Sequence, residues 1–512
     1  MHHHHHHGGS GSKRTNLCAW ASRVGLVGVL GVAMPFAGGA LAQPCDPTML
    51  VAEHQRFAAG TTPLDAALGD FDGNGIIDLA IVNQQSDDVS VRLGLGGGTF
   101  GPEQRFAVGD SPRDIATADL NGDGHADLVT ANQSSMDASV LLGRGDGTFE
   151  PARSISTQAN GFGVALADLD GDGDIDLALT NSGGGMSVLL GAGDGTFGAP
   201  TTYPGGTGSW SIVLGDLNLD GVPDVAFTNS TSDDVSVRLG LGDGGMGPET
   251  RLPAGDTPRG VALADVNGDG HPDIITANTN DSNASVLIGR GDGTFEPQQT
   301  FAAGRGPWEV ATADLNGDGH ADIAAADSAD GALTVLLGVG DGTFQAPLSF
   351  PTAGIHRGIV LGDVNGDGGT DAVACTVGGS GAVIVLLNRC VALPRFTLQP
   401  LGIAIDPGQS ALLEALAVGT TPLFYQWRRN GVDLADGGPF SGATTPTLTI
   451  EPTTTALSDT YDVVATNAFG QTASTPAVVA VRDTCPADFD GDGQLTLFDF
   501  LAFQNAFAVG CP

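Results

Sequence analysis

The sequence predicts an all-β fold: a seven-bladed β-propeller, then a β-sandwich, then a small helical tail. Three observations carry that expectation. Glycine makes up 79 of 512 residues, about twice its average share, which marks a chain dense in turns. An acidic segment recurs seven times, led by Asp70, Asp119, Asp168, Asp216, Asp265, Asp314 and Asp363, at intervals of 48 or 49 residues. Each interval reads as four short strands and carries no helical period. Self-similarity at this length, with four strands per unit, points to a propeller.

In chain order, residues 1–12 read as an expression tag and spacer. Residues 13–42 read as a secretory signal peptide. Lys13 and Arg14 start it, residues 24–36 are apolar, and Ala40-Leu41-Ala42 fits a small-residue cleavage site. The apolar run is too short to span a bilayer comfortably, and no later stretch is long and apolar enough for a transmembrane helix. The expected location is secreted, extracellular or cell-surface associated, where disulfides persist. Acidic residues number 59 against 20 basic ones, a net charge of −39, and Lys13 is the only lysine. Nucleic acid and anionic membrane are poor partners for such a surface.

Residues 43–390 hold the repeats. The first strand of a unit is rich in small residues, as in 261–264, which suits a crowded axis. The second follows the acidic loop, as in 273–277. The third resembles "SVLLG", and a "GDGTF" turn leads to the fourth, as in 103–108. Glycine in that turn supplies positive φ.

The loops follow D-x-[DN]-x-[DN]-G-x-x-D. Their side-chain oxygens come from Asp70, Asp72, Asn74 and Asp78; Asp119, Asn121, Asp123 and Asp127; Asp168, Asp170, Asp172 and Asp176; Asp216, Asn218, Asp220 and Asp224; Asp265, Asn267, Asp269 and Asp273; Asp314, Asn316, Asp318 and Asp322; and Asp363, Asn365, Asp367 and Asp371. Oxygens on alternate residues converge when the backbone curls around a hard cation, and a carbonyl such as that of His125 adds another. This suits Ca²⁺, which takes six to eight oxygens. A lone loop of this kind also reads as a solvated Asp/Gly turn; seven copies in register favour calcium, up to seven ions. The fourth loop departs from the others by placing Leu219 where they have glycine.

On these motifs the units resemble the FG-GAP/VCBS repeats of integrin α-subunit propellers and of bacterial secreted proteins. "TFGAP" at 196–200 is close to the motif that names the family. The resemblance covers about residues 53–388. It implies calcium loops between the first and second strands of each blade, on its lower face. It also implies recognition or adhesion, without specifying a ligand.

Two further modules follow. Residues 391–483 contain "FYQWRRNGVDL", "TLTIEP" and "SDTYDVVATNAFG", which resemble strands C, E and F of an immunoglobulin-like domain. The resemblance makes Trp427 the core tryptophan and Tyr461 the corner tyrosine. Ala415 and Val463 stand where the usual cysteines would fall, so no inter-sheet disulfide is expected. Residues 484–512 resemble half of a dockerin. Asp488, Asp490, Asp492 and Asp499 take loop positions one, three, five and twelve, and Thr496 opens an apolar helix. One more Ca²⁺ is implied there. The tail reads either as a docking element for a cohesin-like partner or as a cap.

No catalytic motif is found, and the chain is expected not to be an enzyme. His125, His271 and His320 share one loop position, where the carbonyl suffices. The repeats differ six residues before each leading aspartate: Leu64, Arg113, Phe162, Trp210, Arg259, Trp308 and Arg357. These should ring the channel mouth opposite the calcium loops, and they bind a ligand or plug the channel. Trp suits sugar faces and Arg suits carboxylate, so an extracellular glycan or protein ligand is expected. Thirteen residues after each leading aspartate stand Asn83, Asn132, Asn181, Asn229, Asn278, Asp327 and Thr376, which read mainly as turn caps. Alternatives to an adhesion protein are a propeller lectin with sugar pockets between blades, and a polysaccharide-degrading enzyme or its dockerin-borne accessory.

The seventh unit supplies three strands, ending at 382–388. The segment 54–60, "HQRFAAG", matches the fourth strand "EQRFAVG" of the first unit. It should therefore pair with 382–388, which hides both edges and brings Cys45 and Cys390 together as a disulfide. Cys485 should pair with Cys511, and Cys375 should stay buried and free.

Overall fold

The structure is a computed structural model that describes residues 53–481, apart from 158–159, 353, 378–380, 389–393, 420–422 and 468–469. The expected tag and signal peptide, Cys45, Cys390, Cys485, Cys511 and the tail aspartates Asp488, Asp490, Asp492 and Asp499 lie outside the described residues. Among those described, the fold is all-β, and a single 3₁₀ turn at Thr455–Leu457 is the one helical element.

The repeats form seven four-stranded antiparallel sheets. Sheet one comprises Pro63–Gly69, Asp78–Asn83, Asp88–Arg92 and Gln104–Ala107. The first strands of sheets two to seven are Pro112–Ala118, Gly161–Ala167, Ser209–Gly215, Pro258–Ala264, Pro307–Ala313 and Ile355–Gly362. The seventh sheet takes its fourth strand from the N-terminal side. Glu53–Ala58 pairs antiparallel with Ala382–Leu387, with Glu53 opposite Leu387 and Ala58 opposite Ala382. The sequence match alone located this pairing.

Burial explains the strand sequences. Second strands such as Asp127–Asn132 are buried at every residue, because both of their faces pack against neighbouring sheets. Fourth strands such as Thr250–Pro253 are mostly exposed. The apolar clusters lie between sheets, not within them. Val82 and Val91 of sheet one pack with Leu128 and Leu141 of sheet two. The series continues in order, and Val373 and Val385 of sheet seven pack with Leu79 and Ile81 of sheet one. Packing that begins at sheet one therefore returns to it. Each first strand also carries a register shift near its start, as between Pro112 and Asp114 or Ser209 and Ile212. Such bulges re-aim the side chains beside them, and here those are the seven variable residues.

The second module is a β-sandwich. Ile403–Ile405, Ala477–Val481, Asp459–Asn467, Phe424–Arg429 and Val432–Asp433 form one sheet in that order, with Gly470–Ala473 also on Asp459–Asn467. Ala411–Glu414, Thr447–Ile450 and Phe440–Ser441 form another. Trp427 and Tyr461 are fully buried in one core with Ala415 and Val463. Trp427 Nε1 donates to the Thr445 carbonyl at 2.9 Å, and Tyr461 Oη donates to the Leu457 carbonyl at 3.0 Å. Both polar tips are satisfied, so these large rings stay buried without an orphaned donor.

Cys375 is buried and unpaired. Beside it on the same strand, Thr376 meets His356, which is also fully buried. His356 Nε2 lies 2.5 Å from Thr352 Oγ1, and Nδ1 lies 3.2 Å from Thr376 Oγ1. Burial, with the positive charge of Arg56, pushes this imidazole down from 6.5 to about 4. The unfolded chain then binds the proton more readily than the folded one. Stability from neutral His356 is full above pH 6.5 and falls as pH drops through 4. Relative to wild type, His356→Gln should flatten the acid limb of the stability profile by on the order of 2–3 kcal/mol, measured by melting across that window.

Candidate functional site

Two sites lie at opposite ends of the first strands. The acidic loops follow the strand ends, and the variable residues stand near the strand starts.

In each loop the backbone folds over its leading carboxylate. Asp119 Oδ1 accepts the Gly122 N–H at 2.8 Å, and Oδ2 accepts that of Gly124 at 2.8 Å. Asn121 Oδ1 accepts the Asp123 N–H at 3.0 Å, and Asp123 Oδ1 accepts the His125 N–H at 2.9 Å. The ninth-position aspartate is buried and bridges two segments. Asp127 Oδ2 accepts the Leu120 N–H at 2.9 Å, and Oδ1 accepts the Gly143 N–H at 2.7 Å. Asp78, Asp176, Asp224, Asp273 and Asp322 repeat this bridge, and Asp371 makes it to Val364 and Asn388. Burial pushes Asp78, Asp127 and Asp224 up to about 6, and Asp273, Asp322 and Asp371 up to about 7. Neighbouring loop carboxylates add to the rise, and the N–H donors oppose it.

The donor chemistry fits a hard divalent cation. Carboxylate oxygens of Asp70, Asp72 and Asp78 come within 4.8 Å of one another, as do those of Asp168, Asp170 and Asp176. In the other five loops asparagine fills the third position and aspartate the fifth, so each keeps three carboxylates, as the first loop does with Asn74 at its fifth position; the third loop alone has four. Leu219 keeps the loop shape at a φ of 60°, a conformation that costs a non-glycine residue roughly 1–2 kcal/mol.

A second contact ties loops one to six to the next sheet. The Gly147 N–H donates to the Phe71 carbonyl at 2.9 Å, and Gly195 to Leu120 at 3.1 Å. Sheet seven lacks the "GDGTF" turn, and Asn388 Nδ2 takes its place, donating to the Leu315 carbonyl at 2.7 Å. The loop histidines do more than lend a carbonyl. The rings of His125 and His320 pack on Gly145 and Gly340, where a Cβ would sit 2.3 Å from them.

At the other end the structure brings Arg113, Phe162, Trp210, Arg259, Trp308 and Arg357 together. Phe162 stacks on Trp210 at 4.5 Å and 17°, and Trp210 meets Trp308 edge-on at 5.6 Å. The Arg259 guanidinium lies 3.5 Å from the Trp308 centroid and 4.5 Å from that of Trp210. Arg357 lies 4.2 Å from Trp308, and Arg113 lies 4.8 Å from Phe162. Leu64 is buried in the core between sheets one and two, yet borders the same small cavity of about 40 Å³. The indole faces expected to stack on sugar are occupied by neighbours within the cluster.

Sequence reading missed three acids in that cavity: Asp65, Asp114 and Glu309. Each stands one residue after a cluster position, where the other units have Gly163, Ser211, Gly260 and Gly358. An acid in a column of small residues was the available signal. Asp114 Oδ2 accepts the Val164 N–H at 2.8 Å, joining sheets two and three. Burial raises all three, and like charges add to the rise in Asp65 and Glu309. The asparagine column is structural. Asn132 Nδ2 donates to Asp137 Oδ1 at 3.0 Å and to Ser139 Oγ at 2.9 Å, holding second strand to third.

Comparisons with known proteins agree with this division. The FG-GAP-like repeat model matches residues 70–130, 119–179, 168–227, 216–276, 265–325 and 315–374. The immunoglobulin I-set model matches 394–481. No catalytic family is among these matches. A search of curated proteins finds no match. Among solved structures, a chimeric titin Z1Z2 is 32% identical over 17% of this chain and 93% of its own, with a TM-score of 0.16. The titin M3 domain is 26% identical over 18% of this chain and 97% of its own, with a TM-score of 0.16. The repeat matches together run from residue 70 to residue 374, more than half of the sequence, and the chain belongs to the FG-GAP-like repeat family.

Proposed function

We propose that this chain is a secreted, calcium-stabilised recognition or adhesion protein that binds its ligand at the arginine–aromatic cluster. The single observation that carries the reading is that cluster. Three arginines and three aromatic rings, each from a different first strand, converge at the end of the repeats away from the acidic loops. Repeat-wide features serve the scaffold, and residues that break the repeat serve recognition. FG-GAP-like repeats with an immunoglobulin-like module fit such a role in general.

The scaffold we propose is a closed seven-bladed propeller. Its supports are the seven four-stranded sheets, the cyclic order of packing and the N-terminal strand in the seventh sheet. Calcium would be held by the first, third, fifth and ninth residues of each loop, and by the tail aspartates. It supplies divalent charge that offsets clustered carboxylates. No catalytic step is proposed. The tail is proposed to dock a cohesin-like partner or to cap the chain.

A groove of about 630 Å³ between sheets one and two favours a second reading, a lectin with pockets between blades. It is bordered by Arg105, Phe106, Asp137, Arg144 and Ser154.

In excess chelator the repeats should melt at a lower temperature. At free calcium a hundredfold above the dissociation constant, each site contributes roughly 2.7 kcal/mol. An unchanged melting curve would remove calcium from the reading. On a glycan and peptide array, capture should disappear when Arg113, Trp210, Arg259, Trp308 and Arg357 become Ala, with calcium affinity retained. Capture that survives these changes but fails on altering Arg105 and Arg144 would move the site to the groove.

A further inference from the structure

We propose that the arginine–aromatic cluster is an anion site that takes a carboxylate from a basic protein partner, with Arg259 and Arg357 as donors and the rings as their supports. This rests on the reading that the cluster is the recognition face, and it narrows the ligand.

The donors are unspent. Arg259 Nε and Nη1 and Arg357 Nε are buried without a hydrogen-bond partner. Arg113 gives its Nε to Gln133 Oε1 at 2.8 Å. None of the three arginines is in an ion pair among the described residues. They also act on one another. Burial, then the charge of Arg357, lowers Arg113 to about 10, and burial with Arg357 and Arg113 lowers Arg259 to about 10. All three remain cationic at neutral pH. Desolvated charge without a counter-ion is costly, and a bound anion removes that cost. The acids of the cavity do not supply it: among the described residues no ion pair joins Asp65, Asp114 or Glu309 to these arginines.

The rings are not free to stack on sugar. Trp210 carries Phe162 and Arg259 against it, and Trp308 carries Arg259 and Arg357. Stacked in this way, the guanidiniums are held in place, and their N–H edges remain for a ligand. The cavity is small, about 40 Å³, and it accommodates the end of a charged group such as a carboxylate. The rest of the ligand must lie outside, over a chain of net charge −39. A polyuronate carries a negative charge on every sugar and is repelled there. A basic segment presenting one carboxylate is attracted.

The test uses an array of lysine- and arginine-containing peptides free of Asp and Glu. Each is printed twice, with a free and with an amidated C-terminus, beside tri-galacturonate and neutral oligosaccharides. The full chain should prefer free-acid peptides by about tenfold or more. Arg259→Gln and Arg357→Gln should erase that preference, and Arg259→Lys, which keeps charge without the fork, should retain part of it. Melting curves of the same variants check folding. Equal capture of acid and amide forms would overturn the carboxylate. Stronger capture of tri-galacturonate than of any peptide would overturn the protein partner. Capture of neutral oligosaccharides alone, lost in Trp308→Ala, would overturn this inference while the recognition face stands. No capture of any probe, with Gln variants changed only in melting, would overturn both and leave the cluster as a plug.

Discussion

A buried carboxylate that accepts two backbone N–H groups is the interaction on which the repeats depend. The ninth residue of every acidic loop provides it. One oxygen holds the loop, and the other holds the chain where it leaves the third strand, as Asp273 does with Val266 at 2.9 Å and Gly289 at 2.7 Å. Buried N–H groups need acceptors, and the bridge from Gly289 to Phe295 uses the backbone groups on either side of Gly289, so the Gly289 N–H is left for the carboxylate. Placing an acid there is costly, and burial accordingly pushes Asp273 up to about 7. A nearby divalent cation would offset it, so one residue could serve both the backbone and the metal we propose.

From this bridge the division of labour along the first strand follows. The loop end is bound to its own sheet by the aspartate and to the next sheet by contacts such as Gly147 to Phe71. That end tolerates little variation. The opposite end meets its neighbours through first strands that approach closely. A Cβ on Gly163 would sit 2.6 Å from the Trp210 carbonyl, and one on Gly358 would sit 2.4 Å from that of Leu64. Bulges there turn the variable side chains toward one another, so residues 48 or 49 positions apart become a single cluster.

Much of this was legible in the sequence, because a repeat exposes its own rules. The period gave the sheets, the alternating oxygens gave the loops, and one matched heptapeptide located the strand Glu53–Ala58. Side-chain relations across sheets were not legible. Position placed Trp210 and Trp308 at one end, but only packing shows that Phe162, Arg259 and Arg357 cover their rings. Asp65, Asp114 and Glu309 escaped notice because acids are abundant and their burial depends on how closely the strands converge. The Asn388 contact to Leu315 was hidden for a different reason: a side chain there replaces what a backbone turn does in other units.

Hydrogen exchange at the amides of Val266 and Gly289 tests the central interaction most directly. It is measured in excess chelator, so that bound metal plays no part, on the wild-type chain and on Asp273→Ala. Exchange as slow as that of the buried strand Asp273–Asn278 is expected in the wild type, with both amides becoming fast in the variant. Fast exchange at both amides in the wild type would contradict the carboxylate bridge as the anchor of the fold.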